Sequence, residues 1–149
     1  MTDSAPTPLP ADLVALVASR RNGTLTTIKR DGRPQLSQVS YAWSPEHRHV
    51  RVSTRASLAK VHNLRRDPRA SLLVTDEAGW SYAVLEGVVG LSDVAAAPDD
   101  ATVDALVELY RTISGGEHPD WDDYRTAMVA DGRLVLTLEV ERAYGVVQG

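Results

Sequence analysis

Ser53-Thr54-Arg55-Ala56-Ser57-Leu58-Ala59-Lys60-Val61-His62-Asn63-Leu64-Arg65-Arg66-Asp67-Pro68-Arg69 reads as a strand end, a turn and a short helix. Its spacing predicts a helix over residues 57–67. Ser57 is a favourable N-cap residue, and Leu58, Val61 and Leu64 recur every three positions as one buried face. Lys60 and Asn63 share another face and can point at one phosphate. Pro68 marks where the helix stops. A helix N-terminus has unpaired N–H groups and partial positive charge, so it attracts anions. The stretch therefore reads either as an anion site or as a solvated basic helix.

The charge pattern bears on that choice. Arg48 to Arg69 holds seven basic residues and one acidic residue, a local +6 in a chain of net charge −4. The remainder carries −10. A positive patch in an acidic protein suits a small anionic ligand better than a long nucleic acid, which the remainder would repel. Nucleic acid is not an expected partner.

At 149 residues, with 43% hydrophobic and 24% charged residues, the chain reads as one globular domain able to bury a core. No apolar run spans a bilayer and the N-terminus lacks signal-peptide character, so no membrane association and a cytoplasmic location are expected. The absence of cysteine excludes disulfides, thiolate metal sites and a cysteine nucleophile. His47, His49, His62 and His118 fall at no metal-ligand spacing, and no metal is expected.

Residues 1–9, rich in Pro and Thr, read as a disordered segment, and 10–149 as the domain. Pro10 to Arg21 has helical spacing, ended by Asn22-Gly23. Thr24 to Lys29 is β-rich, and Arg30-Asp31-Gly32-Arg33 is a hairpin turn. Pro34 to Trp43 reads as one long strand with an irregularity, followed by a turn at Ser44–His47 and a strand over Val50–Ser53. Ala70–Thr75 and Trp80–Leu91 are further strands, the second bent at Gly87 and Gly90. Ala101–Ile113 and Trp121–Ala130 are helices, with Trp121 anchoring its helix onto the sheet, and Leu134–Tyr144 is a closing strand. Six bent strands with interspersed helices suggest a small closed barrel.

Taken in order, Gly32-Arg33-Pro34-Gln35-Leu36-Ser37, the 53–71 segment, Gly79-Trp80-Ser81-Tyr82, Trp121-Asp122-Asp123-Tyr124-Arg125 and the closing strand carry a resemblance. Over roughly residues 10–146 the chain resembles the flavin/deazaflavin oxidoreductases of the split β-barrel superfamily, which includes pyridoxamine-phosphate oxidase. Within it the chain is most similar to the actinobacterial branch that uses coenzyme F420.

The resemblance implies a mainly β fold with flanking helices: a six-stranded split β-barrel forming a homodimer, with cofactor sites at the dimer interface. It places phosphate binding on Lys60 and Asn63, with Arg55 beside them, and ring binding on Gln35, Leu36, Ser37, Val52, Ser53 and Thr54. Trp80 is the candidate aromatic from the other subunit. Members often carry an arginine shortly before the lysine; this chain has Ser57-Leu58-Ala59 there, which leaves Arg55 to serve.

The implied cofactor is coenzyme F420, with FMN as the alternative, and the implied activity is hydride transfer to an unsaturated small molecule. The cofactor carries the reactive centre, so no catalytic side chain is expected. Arg65, Arg66 and Arg69 either contact the extended anionic tail of F420 or form a solvated face. Two other activities stay open: a pyridoxamine-phosphate-oxidase-like FMN enzyme, and an F420 carrier with little turnover.

Overall fold

The computed structural model describes residues 7–149, which form four helices and seven strands. The anticipated disorder of residues 1–9 concerns mainly residues outside that range. Thr7 offers its carbonyl to Arg48 at 2.7 Å, and Leu9 packs against the core.

β1 (Asn22–Ile28) and β2 (Pro34–Ser40) form a hairpin whose turn closes with Lys29 N donating to Arg33 O. Gly32 takes φ 89° there, a left-handed conformation that favours glycine. Asn22 and Gly23 belong to this strand and do not end the preceding helix, α1 (Ala11–Ser19). The long strand expected over residues 34–43 is two: β2 ends at Ser40 and β3 (Ala42–Ser44) begins after Tyr41. Tyr41 causes the break. Its N–H donates to Arg21 O in register with the β1–β2 ladder and its hydroxyl to Val17 O, which anchors the side chain in the core where the chain leaves β1 to pair with β4.

The strand count is therefore seven, not six. β4 (His49–Arg55), β5 (Arg69–Thr75), β6 (Tyr82–Leu91) and β7 (Arg133–Val146) complete one antiparallel sheet, in the order β2-β1-β5-β6-β7-β4-β3. Its two edge strands adjoin in sequence at Tyr41, so the sheet curls back toward itself as a half-barrel. Strand alternation then sorts the residues. Val50 and Val52 of β4 and Leu134, Leu136 and Leu138 of β7 fill the interior with Leu25, Leu72 and Leu85, and α1 adds Leu13 and Val17. A second core lies outside, where Ala42 and Val135 meet α3 (Ala101–Ser114) and α4 (Trp121–Ala130) through Val103, Leu106, Leu109 and Met128. Asp100 caps α3 by accepting from Val103 N. No helix of the described residues is long and apolar enough to cross a membrane.

Of the two glycines expected to bend β6, only Gly87 sits at the register shift; nothing lies within 4 Å of a Cβ placed at Gly90. Trp121 packs against α3, not the sheet. It stands edge-on to Tyr110 and Tyr124 at 5.6 and 5.5 Å, with Arg111 over its ring.

Replacing Tyr41 by Phe leaves Val17 O buried without its side-chain donor. The expected cost is about 1–2 kcal/mol, read as a lower urea midpoint at unchanged m; an unchanged midpoint would show that Tyr41 does not fix the strand break.

Candidate functional site

The decisive helix is shorter than its spacing suggests. α2 spans Ala59–Arg66, and Leu58 occupies the N-cap position with no side-chain cap. Ser57 lies in the preceding turn and caps nothing. Leu58 is 40% exposed, so it does not join Val61 and Leu64 in the core. The helix instead buries Lys60, Val61, Asn63 and Leu64, bringing two polar side chains under cover.

Lys60 borders a cavity of about 350 Å³ that also touches Val39 of β2, Ser53, Thr54 and Arg55 of β4, and Arg133 of β7. Sheet topology explains why a cavity opens there. β3 pairs with β4 only over His49–Arg51, so Val52–Arg55 hydrogen-bond on one side alone, to β7. β2 pairs on one side alone, to β1. Beyond Tyr41 the two edges part, and both present free backbone donors and acceptors. Such edges suit the polar rim of a flat ring.

The cations come from three elements. The antiparallel register sets Arg55 opposite Arg133, and α2 supplies Lys60. One carboxylate, Asp131, lies between the two guanidiniums, at 3.6 Å from Arg55 and 3.4 Å from Arg133. Among the described residues Lys60 makes no ion pair. Three cations against one anion leave the cavity positive. Burial, and next the charge of Arg133, push the Lys60 ammonium below its ordinary 10.5. Thr54 adds a buried hydroxyl with no partner.

Of the other expected residues, Gln35, Leu36, Ser37 and Val52 do not line this cavity; β2 borders it through Gln38, Val39 and Ser40 instead. Gln35 and Ser37 point inward and are half-buried, while Leu36 points out and is 60% exposed. The Ser37 hydroxyl, like that of Thr54, lacks a partner. Asn63 does not border the cavity. Its amide nitrogen donates to Thr27 Oγ1, which donates to Gln35 Oε1, while Arg66 donates to Asn63 Oδ1. This chain ties α2 to β1 and β2 and so fixes where Lys60 stands. The Val52 side chain is buried in the interior. Trp80 is 76% exposed on the turn between β5 and β6, away from the cavity of its own chain. Arg66 also donates to Ile28 O, and Arg69 pairs with Asp67 at 2.8 Å; neither joins Lys60 in the cavity.

Sequence reasoning missed Arg133. Its signal was a basic residue opening the closing strand, meaningful only once that strand is paired with β4.

The depressed Lys60 would make anion binding at this cavity proton-linked. Below its lowered value the ammonium is charged and attracts an anion; above it that attraction is lost. A bound anion restores the charged form, so binding in the interval between the free and bound values takes up a proton. Calorimetry of anion binding in buffers of different ionisation enthalpy is expected to show this uptake at alkaline pH, with affinity falling as pH rises. For folding without ligand the sign is opposite: the fold disfavours the charged form, so stability rises with pH between the lowered value and 10.5. No proton uptake at any alkaline pH would remove Lys60 from the anion site.

The family model described as pyridoxamine 5'-phosphate oxidase matches residues 9–147. A curated relative, the F420H(2)-dependent biliverdin reductase of Mycobacterium tuberculosis, is 29% identical over 140 residues, covering 93% of this chain and 89% of the relative. Among solved structures, a conserved hypothetical protein of Mycobacterium tuberculosis superposes with TM-score 0.69 at 23% identity, covering 100% of this chain and 98% of the other. An F420 reductase superposes with TM-score 0.65 at 21% identity, covering 91% and 98%.

Proposed function

We propose that this chain, which belongs to the pyridoxamine 5'-phosphate oxidase family, is an oxidoreductase that holds coenzyme F420 in the cavity between β2 and β4 and reduces an unsaturated small molecule. The observation that carries this reading is the convergence of Arg55, Lys60 and Arg133 on a cavity edged by unpaired strand backbone. A phosphate-bearing flat heterocycle needs both features. The F420 dependence named for the mycobacterial relative favours the deazaflavin over FMN.

In this reading Lys60 and Arg55 hold the phosphate through charge-assisted hydrogen bonds, and Arg133 adds its positive charge from the rim. Asn63 positions α2 through Thr27. The unpartnered hydroxyls of Thr54 and Ser37, with Ser53, Gln35 and the backbone of Leu36 and Val52, meet the polar edge of the ring. Once bound, the cofactor supplies the hydride chemistry, and the protein supplies orientation and a site shielded from water. No side chain of this chain is assigned an acid–base role.

The protein acts as a homodimer in this reading. The exposed Leu36, Trp80, Tyr144 and Val146 form apolar surface that a second copy would cover, and Trp80 would reach the partner's cavity. Sedimentation at micromolar concentration tests this point, and monomer alone would contradict it.

The function is tested by titrating the purified protein with F420 and with FMN, following cofactor fluorescence. Tighter binding of F420 is expected, followed by oxidation of reduced F420 with a suitable acceptor. Tighter FMN binding would move the protein to flavin chemistry, with pyridoxamine phosphate the next compound to test. Tight F420 binding with no turnover across acceptors would identify a carrier.

A further inference from the structure

A second cavity, of about 270 Å³, adjoins the first and shares Ser53, Ile113 and Arg133 with it. It lies on the outer face of the sheet, where strand alternation sends Ser53 away from the barrel interior toward α3 and α4. Its walls are otherwise mainly apolar: Leu109, Tyr110 and Ile113 from α3, and Tyr124 and Met128 from α4.

The walls are set before any ligand arrives. Tyr124 donates its hydroxyl to Leu106 O at 3.0 Å, and its ring stands edge-on to Tyr110 at 5.2 Å. Tyr110 is held in turn against His118 and Trp121 at 5.2 and 5.6 Å. Rings locked in this way lose little freedom when a flat molecule lies against them. At the mouth, Arg133 donates to Ser53 Oγ at 3.3 Å and shares Asp131 with Arg55, so its charge is only partly neutralised.

We propose that this cavity is the acceptor site, taking a flat, mostly apolar conjugated molecule whose carboxylate or similar anionic group meets Arg133. Size narrows the class. A cavity of about 150 Å³ holds benzene, so 270 Å³ admits one or two fused rings, and a larger acceptor would leave part of itself outside. The proposal rests on the neighbouring cavity being the cofactor site: only then does the shared rim of Ser53, Ile113 and Arg133 bring acceptor and cofactor together.

The test uses 2-naphthoate as probe and its uncharged analogue 2-naphthalenemethanol, with affinities from calorimetry on the full chain. Ser114→Trp narrows the cavity from an exposed position at the end of α3, and Met128→Trp fills it from α4. The exposed variant keeps the test valid if the buried one fails to fold.

Binding of 2-naphthoate at or below about 1 mM is expected, with each folded variant weakening it about tenfold and the analogue binding less well. The F420 affinity of the folded variants is expected to stay within about twofold of wild type. No naphthoate binding, or binding unchanged in the folded variants, would overturn the proposal. Loss of naphthoate affinity in Lys60→Ala but not in the Trp variants would also overturn it, since the probe would then sit in the cationic cavity. If wild type binds naphthoate as expected but neither F420 nor FMN, the cofactor reading fails; the cavity remains a site for an apolar acid and loses its role as an acceptor site.

Discussion

Replacing Lys60 by alanine is expected to weaken F420 binding by about 1.5–3 kcal/mol, roughly ten- to a hundredfold or more in dissociation constant. The size follows from its setting. Lys60 is 9% exposed, makes no ion pair among the described residues and borders the cavity edged by the parted strands. A charge-assisted bond in such surroundings is screened less than one on the surface. The same setting predicts little harm to the fold, because folding desolvates an ammonium that no carboxylate compensates. The thermal midpoint of Lys60→Ala should stay level or rise slightly. Fluorescence titration and a melting curve on one preparation check both halves. A large loss of stability would show instead that Lys60 is a structural residue, and its effect on binding would then be indirect.

The second large effect concerns the sheet that carries the site. Gly87 of β6 lies where the ladder with β7 shifts register, between Glu86–Arg142 and Gly87–Val140. A Cβ at Gly87 would drive into the carbonyl oxygen of Glu139 and come within 2.8 Å of its carbonyl carbon. That neighbour is backbone and cannot rotate away. Gly87→Ala is therefore expected to cost about 2–4 kcal/mol, or roughly 5–15 °C in Tm for a chain of this size. Gly90→Ala, three residues on in the same strand, meets nothing within 4 Å and is expected to change stability by no more than about 0.5 kcal/mol. Similar losses for both variants would mean that glycine content in general, not the close approach to β7, governs β6.

Much of the scaffold was legible in the sequence because local chemistry fixes it. The Asp31-Gly32 turn could join only a tight hairpin, and α4 runs from Trp121 to Ala130 as its spacing indicates. Tertiary contacts decided the features that were not legible. Tyr41 continues the apolar alternation of its strand, so nothing local reveals that the chain changes partner there from β1 to β4. Ser57 has good capping chemistry, yet the chain turns once more and begins the helix at Ala59. Lys60 could be read as a candidate site residue because turn, helix and charge coincide within a few positions. Arg133 could not, since only the pairing of β4 with β7 sets it opposite Arg55. The role of Asn63 shifts for a similar reason: its amide is bonded to Thr27 and Arg66, and it acts on the site by fixing α2.

We propose that the cavity of Arg55, Lys60 and Arg133 holds the cofactor through its phosphate. The most direct measurement is a cycle of four dissociation constants: wild type and Lys60→Ala, each with F420 and with the phosphate-free deazaflavin core. If Lys60 holds the phosphate, the substitution costs about 1.5–3 kcal/mol for F420 and almost nothing for the phosphate-free core. An equal loss for both ligands, or no loss for either, would contradict the claim.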